Sequence, residues 1–227
     1  MLRASFLIIV YLTAGRVSAQ TIVQQGWLFW SHEQELTKKI KLFSDIQLRT
    51  SDDGEYIETL LIRPGITYLF KNKNKITAGY TLFANWEMID RQKIYRAEHR
   101  IWEQYLIESD LEKILLTNRL RLEQRFLGQQ KFAQRMRYYI RMQLPLFGNS
   151  NFTRGYYCAL QNELFLNIQN KEYVNDRGYD QNRVYSGIGY KFNKNFETEL
   201  GYMFRYQIKS ENNLRSHVIQ LTISSSF

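Results

Sequence analysis

The sequence predicts an all-β protein: a transmembrane, antiparallel up-and-down β-barrel of ten to twelve strands, preceded by a cleaved signal peptide. Three observations predict it. Apolar and polar residues alternate with a period of two, the repeat of a strand with one dry and one wet face. The alternating stretches run for roughly 10–16 residues, where a soluble strand has about five or six, and that length crosses a bilayer when tilted. The chain is also aromatic and charged at once: 15% aromatic and 23% charged, with 16 Tyr and 14 Phe against 12 Gly. Membrane barrels have that composition because lipid meets one face of every strand and aromatics collect at the interfaces.

The elements follow in chain order. Arg3 supplies a positive start, Phe6 to Leu12 an apolar core, and Val17-Ser18-Ala19 a small-residue cleavage site. Residues 1–19 are therefore read as a signal peptide, with the cut between Ala19 and Gln20, and 20–227 as one barrel domain. The apolar run is too short for a membrane-spanning helix. Removing Arg3 and Arg16 leaves a basic surplus. Cys158 is the one cysteine, which rules out a disulfide framework.

The alternation is clearest in five stretches. Ile40, Leu42, Ile46 and Leu48 oppose Lys41, Phe43, Asp45, Gln47 and Arg49. Ile76, Ala78, Tyr80, Leu82, Ala84 and Trp86 oppose Thr77, Gly79, Thr81, Phe83, Asn85 and Glu87. Leu120, Leu122 and Phe126 oppose Arg119, Arg121, Glu123 and Arg125. Met136, Tyr138, Ile140, Met142 and Leu144 oppose Arg137, Tyr139, Arg141 and Gln143. Leu200, Tyr202, Phe204 and Tyr206 oppose Glu197, Glu199, Gly201, Met203, Arg205 and Gln207. As helices these segments would spread charge around the whole circumference. Turn-rich stretches separate them, among them 51–54, 71–75, 88–93, Ser109-Asp110, 128–130, 148–151, 171–180, 193–195 and 210–213.

Counting from 24–32 through 214–227 gives eleven strands. Bacterial single-chain barrels have even numbers. Either 24–32 lies off the wall, leaving ten strands with both ends at one rim, or a further strand exists. In the last strand Ile219, Leu221, Ile223 and Phe227 share a face, and a terminal aromatic there resembles the signal read by the outer-membrane barrel assembly machinery.

Several ordered patterns resemble an outer-membrane barrel family, domain of unknown function 2490. They are Arg63-Pro64-Gly65-Ile66-Thr67-Tyr68, Ala78-Gly79-Tyr80, Glu98-His99-Arg100-Ile101-Trp102-Glu103-Gln104 and Arg119-Leu120-Arg121-Leu122-Glu123-Gln124-Arg125. Arg135-Met136-Arg137-Tyr138, Leu144-Pro145-Leu146, Asn162-Glu163 and Asp180-Gln181-Asn182-Arg183-Val184-Tyr185 complete the set. The resemblance covers most of the mature chain. It implies a β-barrel resident in a bacterial outer membrane, reached through the periplasm, and implies no activity.

If apolar residues face lipid, Arg49, Arg63, Glu98, Arg100, Arg119, Arg121, Glu123, Arg125, Arg137, Arg141, Glu163, Arg183, Glu197, Glu199 and Arg205 point inward. Three readings of that set stay open. It is a structural ladder of ion pairs, a narrow polar channel favouring anions, or a binding or catalytic site. A hydrolase acting on lipid or peptide would depend on Glu98 and Glu163. Alternation puts His99 on the opposite face from Glu98 and Arg100, and His217 on the lipid side. No spacing suggests a metal or cofactor site. The expectation is a protein without catalytic role. The net charge of +9 is interleaved with acids, without a basic run, so nucleic acid is not an expected partner. Lipid and lipopolysaccharide are, and residues 171–182 or 209–216 offer loops to an envelope complex.

Overall fold

The computed structural model describes residues 21–227, except 71–73 and 211. The signal-peptide segment 1–19 and the cleavage pair Ala19 and Gln20 lie outside the described residues. The strands are β1 Thr21–Glu35, β2 Ile40–Thr50, β3 Ile57–Leu69, β4 Asn74–Ile89, β5 Gln92–Leu111, β6 Ile114–Leu127, β7 Lys131–Gly148, β8 Gly155–Gln169, β9 Tyr179–Asn193, β10 Phe196–Gln207 and β11 Leu214–Ser226.

These strands close into one barrel. Each consecutive pair is antiparallel, and β1 pairs with β11 in parallel. Parity explains the seam. In an up-and-down chain of eleven strands, the first and last run the same way and can close only in parallel. The seam is long, from Thr21↔Leu214 to Glu33↔Ser226. Residues 24–32 are therefore wall residues within β1, which corrects the ten-strand alternative. The start of β1 also lies at the rim opposite Phe227, so the wall's two chain ends do not share a rim.

The wall is taller than the turn-rich stretches suggested. Ser109 and Asp110 continue the pairing of β5 with β6, and the chain reverses at Glu112-Lys113, where Glu112 takes φ 55°. Between β4 and β5 the reversal is confined to Asp90 and Arg91, both at positive φ. Two successive positive-φ residues match the right-handed twist of the strands they join.

Alternation decides what faces in. Along β5, Glu98, Arg100, Trp102 and Gln104 are buried, while His99, Ile101, Glu103 and Tyr105 are exposed. The outer face is apolar at mid-height, with Ile62, Ile66, Ile101, Leu120, Leu160, Ile188, Leu200 and Ile219 exposed and Tyr80, Tyr105, Tyr138 and Tyr202 exposed beside them. Aromatic rings gather near both rims. Toward Phe227 stand Tyr68 with Phe70, and the run Tyr156, Tyr190, Phe192 and Phe196. Toward the other rim stand Trp86 with Tyr95, and Phe126 with Phe132.

Inside, large aromatics lie flat on glycines of the neighbouring strand. A Cβ on Gly79 would run into the Trp102 ring and sit 2.6 Å from the Pro64 carbonyl oxygen. Only hydrogen fits there, and the bare backbone receives the fully buried indole. Tyr157 covers Gly189 in the same way, and Tyr185 covers Gly201 on β10 and Gly187 on its own strand.

Candidate functional site: the charged interior

The interior is built from strand residues of one parity, so its chemistry is held on a hydrogen-bonded wall and not on loops. Three carboxylates organise it. Glu98 on β5 takes two-pronged forks from Arg100, at 2.8 and 3.2 Å, and from Arg125 on β6, at 2.6 and 3.0 Å. Glu123 on β6 accepts from Arg135 Nε and Nη2 at 3.0 and 2.6 Å, and from Arg137 Nη1 at 2.5 Å. Glu163 on β8 accepts from Arg137 at 3.0 and 2.6 Å and from Arg119 at 2.5 Å. Arg137 thus bridges Glu123 and Glu163, and the guanidinium fork is the shape that permits it.

Further pairs cross the lumen. Arg141 on β7 grips Glu199 on β10 at 3.1 and 2.5 Å, and the Tyr185 hydroxyl donates to the same carboxylate at 2.7 Å. Arg135 donates to Asp180 on β9 at 2.7 Å. Along the wall, Arg63 on β3 pairs with its register partner Asp45 on β2 at 2.5 Å. Arginines also stack on interior rings. Arg135, Arg137 and Arg183 lie 5.0, 4.4 and 4.6 Å from the centre of Phe165, and Arg121 lies 4.3 Å from Trp102 while donating to Gln104.

Two cavities flank this belt. One of about 730 Å³ reaches the rim where β1 begins and is lined by Arg49, Arg63, Glu98, Arg100, Arg125, Arg137, Arg183 and Arg205, with Asp52, Glu55, Glu58 and Glu87 among the other lining residues. The other, of about 450 Å³, faces the Phe227 rim and is lined by Arg63, Arg119, Arg121, Arg137, Arg141, Glu163, Arg183, Glu197 and Glu199. Arg63, Arg137 and Arg183 border both. Glu123 is 2% exposed and sits among its arginines. The structure therefore places all fifteen charged positions on the inner face, but not in one site. Glu98, Glu123 and Glu163 form a connected belt through Arg137 and the 3.9 Å approach of Arg100 to Glu123. Glu199 and Arg141 stand toward the Phe227 rim, and Arg49 and Arg205 toward the other.

Sequence reasoning missed three members. Arg135 shares the parity of Arg137 and could have been included. Asp45 lies on the polar side of its strand, but nothing local marks Arg63 as its partner. Asp180 reads as loop, and alternation alone misplaces it. The pairing of β8 with β9 steps from Phe165↔Gln181 to Leu166↔Tyr179, leaving Asp180 as an extra residue on β9. Such a bulge shifts the parity and brings Asp180 and Gln181 both to the buried side.

The outer-face histidines are engaged elsewhere. His99 Nδ1 is bonded to the Tyr80 hydroxyl, and His217 Nδ1 to that of Tyr202 at 2.6 Å. Among the described residues no group of His, Cys, Asp and Glu side chains is arranged to hold a metal ion.

Fold and interior together define a class: a closed β-barrel with an apolar outside and an ion-paired inside. Within it, the family described as "Protein of unknown function (DUF2490)" matches residues 24–215. The chain belongs to that family. No curated protein matches it.

Proposed function

We propose that this protein is a non-catalytic integral barrel of a bacterial outer membrane, sealed at mid-height by its own ion pairs and structural in role. The carrying observation is the distribution of polarity: buried Arg–Glu forks inside, and outside an apolar face of aliphatic and aromatic side chains, with ring clusters near both rims. In water that outer face would be an aggregation surface; in a bilayer it is the solvated face.

The rims support an orientation. The Phe227 rim carries two-residue reversals at 112–113 and 194–195 and the 149–154 connection, whereas the opposite rim carries the two-residue 90–91 reversal and the 51–56, 170–178 and 208–213 connections, including the longest of these, 170–178. Short turns belong to the periplasmic side and long ones to the outside. The assembly machinery would then read the Phe227 strand from the periplasm, and lipopolysaccharide would meet the longer loops, which are also the surface for any envelope partner.

The belt supports closure over conduction. A channel needs a continuous wet path, and here Arg63, Arg137 and Arg183 stand between the two cavities. The hydrolase reading needs an uncommitted carboxylate, and Glu98 and Glu163 are each held by two arginines. Fractionation of native envelopes tests the location. The protein should stay in the outer-membrane fraction through an alkaline carbonate wash. Its release into the wash would contradict integral insertion.

A further inference from the structure

The belt's carboxylates satisfy some interior arginines directly and leave others with a distant carboxylate or neutral partners only. Arg49, Arg183 and Arg205 gather around Trp27, with guanidinium carbons 3.9, 5.2 and 5.6 Å from the indole centre. Among the described residues Arg49 donates only to the neutral Gln47, at 3.2 and 2.7 Å. Arg205 donates only to the Ser216 hydroxyl, at 3.2 and 2.9 Å, and to Gln25 at 3.4 Å. Arg183 approaches no carboxylate nearer than 3.9 Å from Glu163, and its Nε has no hydrogen-bond partner. Arg49 and Arg205 are both more than nine-tenths buried. Among the described residues Arg49 and Arg205 make no direct ion pair, and Glu58 on the same lining, bonded to Gln25, leaves the three-arginine cluster with a surplus of positive charge. An under-compensated buried charge is costly.

We propose that these three arginines form an anion-binding site in the 730 Å³ cavity, and that its ligand is a soluble phosphate or phosphate monoester. A monocarboxylate offers two oxygens and satisfies one fork. Three forks converging on one cavity call for a tetrahedral dianion with several acceptor oxygens. The cavity has the size of a small-molecule site. The Gln181 side-chain oxygen on its lining also lacks a partner and can accept the proton of a monoprotonated phosphate. The closed wall separates the site from the outer face, so the ligand enters through the rim and not from the lipid. This inference concerns the interior alone and does not depend on where the barrel resides.

Calorimetric titration of the folded full-length chain in zwitterionic detergent with inorganic phosphate tests it, with acetate at matched ionic strength as comparator. Saturable binding of one phosphate per chain is expected, with acetate at least about tenfold weaker. Arg49→Gln and Arg205→Gln should each weaken phosphate binding by about tenfold or more. Arg154→Gln, at the far rim, should leave it unchanged. Absence of saturable phosphate binding by the wild-type chain overturns the proposal. So does acetate binding equal to that of phosphate, or undiminished affinity in both arginine variants. If a variant does not fold, the wild-type comparison decides alone, supported by a phosphate-dependent rise in unfolding temperature.

Discussion

Glu123 and Arg49 are both buried in the interior, yet their removal should have opposite consequences. Glu123 takes hydrogen bonds from Arg135 and Arg137 and lies 3.9 Å from Arg100 and Arg121. Glu123→Ala takes one carboxylate from Arg135, Arg137 and Arg100, which keep Asp180, Glu163 and Glu98, and leaves buried Arg121 without an ion-pair partner among the described residues. Breaking a buried pair on one side typically costs about 3–5 kcal/mol, so urea unfolding of the reconstituted barrel should show a loss of that order. Arg49 has no carboxylate to strand. Arg49→Leu, measured without phosphate, should leave stability unchanged or raise it, because the desolvated charge disappears while the contact with Trp27 is replaced by an apolar one. A large loss there would mean that Arg49 has a counter-charge. Gly79→Ala probes packing instead: its Cβ meets backbone oxygen on one side and the Trp102 ring on the other. About 1–3 kcal/mol of destabilisation follows from such overpacking, read from the same unfolding curves.

At the scale of elements, the parallel seam between β1 and β11 is the feature that most needs a direct check. Phe29 and Thr222 are register partners there, and both line the lumen. A Phe29→Cys, Thr222→Cys chain, with Cys158→Ser to remove the native thiol, should form an intramolecular disulfide on oxidation, visible as a shift in gel mobility. Adjacent paired strands place the two Cα atoms within disulfide range. Failure to cross-link would place β1 elsewhere than the wall beside β11. Strand identity and facing were legible because alternation is a local property: the parity of Glu98, Arg100, Trp102 and Gln104 is visible in four letters of sequence spacing. The seam was not legible, because which strands close a barrel is decided by parity and chain reversal over the whole chain. The same holds for the pairs. Arg141 and Glu199 are 58 residues apart, and Arg119 and Glu163 are 44 apart, so their meeting depends on the barrel's curvature. Asp180 escaped because a single bulge reversed its face.

For the whole molecule, the charged interior substitutes for the apolar core of a soluble domain. Interior rings pack against glycines of the wall, arginine forks tie non-adjacent strands across the lumen, and the apolar surface is turned outward. That inversion explains a chain that is 44% hydrophobic and 23% charged in one domain-sized fold. It also makes closure the central claim of the proposed role, since Arg137, which bridges Glu123 and Glu163, also borders both cavities. Planar-bilayer recording of the purified protein tests it most directly. The sealed belt predicts no discrete single-channel steps from the wild-type barrel. Regular conductance steps from the wild-type protein would show a continuous water path and contradict the account.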